Sequence, residues 1–228
     1  VDAHGRLSRN PSTSPPPPAT MSFLAFLFAA IVLAVTPGPG IAYVLARTVS
    51  GGRAEGLASC LGTGLGGMLH VIAAALGLSL LLAQSAVAFT LVKYLGAAYL
   101  VYLGLRLLLS KAQTLAVDRV AARGPRRALI EGIVVEALNV KTALFFLAFL
   151  PQFVSPGAAL VPQLVLLGSL CVALNTLVDV FAVLAAHRLL APDATRATRG
   201  RLLTRLSGLT MLGLGAWLAL ARRGGLET

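Results

Sequence analysis

From Gly56 to Val92 the chain carries no Asp, Glu, Lys or Arg. In water such a run would coat a globule in apolar surface. It is also longer than the roughly 20 residues that carry a helix across about 30 Å of hydrocarbon. The run must therefore turn once within itself, and Gln84 and Ser85 are the polar residues placed to do so. The remaining composition agrees: of 228 residues, 57% are hydrophobic and 12% charged, a balance whose solvent is lipid. The expected fold class is an all-α membrane protein with six transmembrane helices, near 22–46, 56–83, 87–109, 128–150, 160–186 and 203–221. Residues 1–20, polar and Pro-rich, neither pack nor span and are expected to be a disordered extension. Met21 reads as a natural start, so whether 1–20 is native stays open.

A net charge of +11 would point to nucleic acid only if the basic residues shared a folded polar face. They sit instead between apolar runs, and no nucleic-acid partner is expected. Lys and Arg are retained on the cytoplasmic side of a membrane. One face collects Arg47, Arg53, Arg106, Lys111, Arg119, Arg123, Arg126 and Arg127, then Arg188, Arg196, Arg199, Arg201 and Arg205. The other holds Arg222 and Arg223, with Arg6 and Arg9 in the leading extension. Both termini are therefore expected outside the cytoplasm, and the basic loop 111–127 inside, against lipid headgroups. Cys60 and Cys171 lie in apolar segments and read as small buried hydrophobes.

Span one contains "VTPGPG", Val35 to Gly40. Proline lacks a backbone N–H and its ring collides with the carbonyl one turn back, so Pro37 and Pro39 break the helix. Unwound backbone at membrane depth survives only where protein or a water-filled cavity satisfies it, which points to an internal site. An odd number of spans per half turns the second half upside down, so the chain is expected to hold two inverted three-helix repeats, 21–110 and 128–228. "KYLGAAYLVYLGLRLLL" from Lys93 and "RLSGLTMLGLGAWLALA" from Arg205 match weakly in the corresponding third spans. The proline break of span one predicts an irregular or polar centre in span four, where "VVEALNVKTALFF" supplies Glu136, Asn139 and Lys141.

At these residues the chain resembles the lysine exporter (LysE/RhtB) family of amino-acid efflux proteins, six-span transporters of the bacterial cytoplasmic (inner) membrane. The segments that carry the resemblance are "VTPGP", "SGGRAEGLASCLGTGLGGMLH", "KYLGAAYLVYLGLRLL" and "LNVKTALFFLAFLPQFV", in the family's order and spread over nearly everything from Met21 on. Gly40 stands where the family commonly has Asn, and Val140 where it commonly has Pro. Whether span four is broken is thereby left open. The resemblance implies export of amino acids or small amines, coupled to the proton motive force as antiport.

Counting about 1.5 Å per residue from the cytoplasmic end of each span puts Pro37, Glu136, Asn139 and Asp179 at roughly 12 to 17 Å depth, and His70 and Lys141 near 20 Å. Ionisable groups in hydrocarbon cost about 2.5 to 3.5 kcal/mol each and mark an ion or substrate path by default. Asp179, with Asn175 one turn before it, suits a substrate amine or a proton; the alternative is a salt bridge to Lys141 or a polar tie between helices. Glu136 is the candidate for proton coupling, or an ion-pair partner of Lys141. Lys141 either binds a substrate carboxylate or neutralises one of those acids. His70 is a proton relay or a hydrogen-bonded interior histidine. Glu131, near the basic loop, reads as an interfacial ion-pair partner. Thr36, Pro37, Gly38 and Pro39 surround the break, where a half-helix end presents N–H groups to an anion. A zwitterion would fit, its carboxylate at the break and its amine toward Asp179.

Two other classes compete. A cation or metal exporter of similar architecture needs His, Cys and carboxylates at ligand spacing, which the spans lack. A membrane-embedded enzyme needs a nucleophile with a placed base, and no Ser or Cys forms such a motif with His70 or His187. The expectation is a transporter, not an enzyme, with no cofactor or metal. Its partners are an amino acid or small amine, protons and the lipid bilayer, and a homo-oligomer is left open.

Overall fold

The computed structural model describes residues 19–109, 121–155, 158–189 and 195–220. The leading extension through residue 18 and positions 111–120 of the basic loop lie outside them. The described elements are all helical: α1 (Ala19–Val35), α2 (Pro39–Gln84), α3 (Ala86–Leu109), α4 (Pro125–Ala137), α5 (Val140–Leu144), α6 (Leu160–Leu189) and α7 (Thr195–Leu220). Past α5 the chain continues through a π-helical turn, Phe145–Phe149, and a 3-10 turn, Leu150–Phe153.

The first expected break is present. α1 stops at Val35 and α2 starts at Pro39, the first helical position, where the missing N–H has no intrahelical acceptor to leave empty. The expected turn at Gln84 and Ser85 is present as well: α2 ends at Gln84, and the Ser85 hydroxyl accepts the Ala88 N–H at 3.1 Å, capping α3. The connection placed between 46 and 56 is different. α2 runs through it, departing from helical geometry at Gly52 with φ 74 and ψ −168, a left-handed conformation that glycine adopts without a side-chain clash. An elbow of one residue thus replaces a loop.

Span four is broken without a proline. α4 ends at Ala137, and Asn139 adopts extended geometry while its side chain accepts the Lys141 N–H at 3.2 Å, an N-cap for α5. The two pieces bend by 45°. By length and composition, Pro39–Leu78 and Leu160–Ala186 can each cross a membrane, and Pro125–Ala137 with Val140–Phe153 makes a third if the bent pair is one span. Phe23–Val35 and Met211–Leu220 are shorter apolar helices.

On α2 the exposed residues Leu61, Leu65, Leu69, Ile72 and Leu76 recur at helical spacing, an apolar stripe on the outside that suits lipid. The opposite face is small. Gly62 and Gly66, spaced as GxxxG, pack on α4: an added Cβ at Gly62 would meet the Leu129 carbonyl and stand 3.0 Å from the Gly132 Cα. Gly104 and Gly208 meet in the same way where α3 crosses α7, each facing the other's carbonyl oxygen. Phe26, Phe145, Phe146 and Phe149 fill the main core, with the Phe145 and Phe149 rings stacked at 4.9 Å. Cys60 and Cys171 are buried and unpaired.

Gly62→Leu is expected to lower stability by about 1–3 kcal/mol through overpacking against α4, read as a drop in the melting temperature of the detergent-purified protein. Gly77→Ala, at a site with nothing within 4 Å of the added carbon, is expected to leave it unchanged or raised.

Candidate functional site

The site is built on two helix breaks. In an intact helix the Leu33 carbonyl would accept the N–H of residue 37, which proline does not have. The Lys141 Nζ supplies the missing donor, reaching the Leu33 oxygen at 3.2 Å and the Thr36 oxygen at 2.9 Å. Thr36 is buried and turns its own hydroxyl back to the Val32 carbonyl at 2.6 Å. At the other break the Glu136 carbonyl, which would accept from Val140 in a continuous helix, accepts instead from the Asn139 N–H at 2.9 Å and from His70 Nε2 at 2.7 Å. A cation from the second broken span caps the first, and a histidine from α2 caps the second.

Between the breaks lies the Glu136 carboxylate, 4% exposed. Its Oε2 accepts from Asn139 Nδ2 at 3.0 Å and its Oε1 from the Thr142 hydroxyl at 2.7 Å. A Cβ at Gly40 would stand 2.7 Å from Oε2, so a side chain there would have to displace the carboxylate. Asp179, 1% exposed, has Oδ2 3.2 Å from the Thr63 hydroxyl, and that hydroxyl is also 3.0 Å from the Cys60 carbonyl. One hydroxyl hydrogen cannot serve both acceptors well. When Asp179 carries a proton it can donate to Thr63, leaving the hydroxyl hydrogen for Cys60.

Two small voids connect these groups. One is lined by Thr63, Glu136, Thr142, Asn175 and Thr176, the other by Thr36, Gly38, Gly40, Glu136, Asn139, Lys141 and Asn175. Each is about 10 Å³, room for one water. Asn175 borders both, and its side chain has no hydrogen-bond partner among the described residues. Of the residues singled out from sequence, Thr36 to Pro39, Asn139, Lys141, Glu136 and His70 meet at the breaks, and Asp179 lies near Thr63, a wall of the first void. Lys141 bonds to carbonyls and forms no salt bridge with Glu136 or Asp179. Depth counting set His70 and Lys141 a turn away from the others. The bend in span four and the length of the lysine close that gap.

A second polar cluster joins the elbow of α2 to the start of α4. Arg47 and Glu55 are both buried. Arg47 pairs with Glu131, donates to the Tyr43 hydroxyl at 3.2 Å and to the Ala121 carbonyl at 3.3 Å. Glu131 also takes Arg123 at 2.9 Å and Arg127 at 3.0 Å, the ion-pair role expected of it. Glu55 Oε1 accepts the N–H groups of Arg123 and Gly124 at 2.8 and 2.6 Å. Glu55 was missed from sequence, although it is the single acidic residue between positions 3 and 117, a signal that could have found it. Among the described residues no three His, Cys, Asp or Glu side chains stand as a metal-holding group.

A family model described as LysE type translocator matches residues 31–222. An uncharacterized membrane protein of Vibrio cholerae is 30% identical over 204 residues, 88% of this chain and 97% of that protein. A homoserine/homoserine lactone efflux protein of Salmonella typhimurium is 30% identical over 210 residues, again 88% and 97% of the two chains. The uncharacterized membrane protein YrhP of Bacillus subtilis is 32% identical over 171 residues, 71% of this chain and 81% of its own length. No solved structure matches the chain.

Removing the Lys141 ammonium leaves two carbonyls of a helix end short of a donor, and a buried acceptor so deprived costs about 1–3 kcal/mol. Lys141→Met is therefore expected to melt earlier than the unsubstituted protein in detergent by that amount, with Lys141→Arg, which keeps a donor, losing less. Equal melting of all three would contradict the capping role.

Proposed function

The chain belongs to the LysE type translocator family, and from that premise we propose that it exports amino acids or related small amines against protons. The observation that carries this reading is the meeting of two helix breaks at Lys141, beside the buried carboxylate of Glu136. Broken helices crossing at membrane depth form substrate sites in secondary transporters because they free backbone polar groups inside protein. Here the first element of each proposed half is the broken one, as two inverted three-helix repeats would have it. The proposed setting is the bacterial cytoplasmic membrane, six spans, termini outside and the basic loop 111–127 inside.

In the proposed cycle the substrate's carboxylate draws the Lys141 ammonium away from the Leu33 and Thr36 carbonyls. Its amine is held by the wall of Glu136, Asn139, Asn175 and Asp179, with Thr36, Pro37, Gly38 and Pro39 shaping the seat. Ionised Glu136 and Asp179 favour the ammonium, and protons arriving from outside neutralise them and release it outward. The void edged by Thr63, Glu136 and Asn175 offers room for a water that carries the proton between the two acids. His70 holds the Glu136 carbonyl. The name of the Salmonella typhimurium relative gives homoserine and homoserine lactone as first substrates to try.

In proteoliposomes with an imposed pH gradient, labelled homoserine is expected to move opposite to the proton flow, and Glu136→Gln and Asp179→Asn are each expected to lose at least about ten-fold of that gradient-driven flux, the size of one charge-assisted contact. Full gradient-driven flux in both variants, or transport of divalent metal ions in place of amines, would overturn the reading.

A further inference from the structure

A larger cavity of about 390 Å³ lies against the same two breaks and touches neither Glu136 nor Asp179. Its walls include Tyr99 and Arg106 of α3, Met211 of α7, and Val140 with Lys141. The volume falls in the range of small-molecule sites, about 300 to 1,000 Å³. Along α3 the wall from Tyr99 to Arg106 is about 10 Å long. Lys141 borders this cavity and also the void it shares with Glu136, so one cation stands between the large space and the small polar one.

Arg106 lies in the last turn of α3, is exposed, and makes no ion pair with any carboxylate among the described residues. Arg47, Arg123 and Arg127 are engaged with Glu131; Arg53, Arg126 and Arg205 form no ion pair among the described residues, and of all these arginines Arg106 alone lines the cavity. An arginine kept only to fix orientation has no need to form the wall of a cavity. A guanidinium on such a wall is a planar fork that matches a carboxylate in two-point geometry.

We infer that the cavity between Arg106 and Lys141 is the loading site for substrate from the basic-loop side, and that Arg106 selects ligands bearing a free carboxylate. The inference rests on the exporter reading for direction only. The carboxylate is bound first by Arg106, with Tyr99 and Met211 against the apolar part of the ligand, and passes inward to Lys141. Amines without a carboxylate enter without that contact, so Arg106 sets preference among substrates.

Homoserine and homoserine lactone test this, because closing the lactone removes the carboxylate and keeps the amine. With the full-length protein in detergent, homoserine is expected to raise the melting temperature more than the lactone does; equal shifts, or none from homoserine, overturn the inference. In proteoliposomes Arg106→Gln is expected to raise the half-saturating homoserine concentration about ten-fold or more and to shrink the homoserine-over-lactone preference by the same factor. Arg106→Lys, with charge but no fork, should fall between. A variant that weakens both ligands equally, or neither, contradicts the assignment. A carboxylate-dependent melting shift without gradient-driven flux supports the site and sinks the exporter reading instead.

Discussion

The architecture depends on two backbone carbonyls at the end of α1: Leu33, whose helical donor would be the N–H that Pro37 lacks, and Thr36, at the end of the helix. A buried carbonyl without a donor is costly, and the Lys141 ammonium takes the place of the missing N–H at Leu33 while also reaching Thr36. That contact fixes the second broken span across the first. It also explains why span four must itself be interrupted: the bend after Ala137 lets Lys141 turn toward α1 while Glu136, one turn earlier, keeps its carboxylate on Asn139 and Thr142. The His70 contact to the Glu136 carbonyl serves the second break. Lys141 and the buried carboxylate of Glu136 thereby border one void.

The second cluster answers a different need. The elbow at Gly52 keeps α2 helical on both sides of a turn, so its orientation is not set by a connecting loop. Arg47 and Glu55, from either side of the elbow, reach Glu131 and the backbone of Arg123 and Gly124 at the entrance to α4. Buried ions remain in place only when their partners are present, so this network ties the elbow of α2 to the start of α4.

Much of this was legible in the sequence, and the reasons differ by element. The first break follows from Pro37 and Pro39, because the missing N–H is a local chemical fact. The turn at Ser85 follows from membrane thickness. The second break could not be settled in the same way, since Val140 is compatible with a helix; Asn139 makes the break by capping, a role asparagine takes only in the right backbone geometry. The elbow was hidden because helical periodicity continues on both sides of Gly52. The residues of the site were found from their cost in lipid, yet their pairing was not. Lys141 looked like a partner for Glu136 or Asp179, and counting rise along straight helices could not show that backbone carbonyls would claim it.

The proposed exchange of substrate for protons at the crossing of the two breaks requires that one flow drive the other. The direct measurement is simultaneous recording of labelled homoserine and lumenal pH in the same proteoliposomes, started by a substrate gradient alone. Substrate flow is expected to drive protons the opposite way, shifting lumenal pH in proportion to the substrate moved, with the shift collapsed by a protonophore. Substrate flow that leaves lumenal pH unmoved would contradict it.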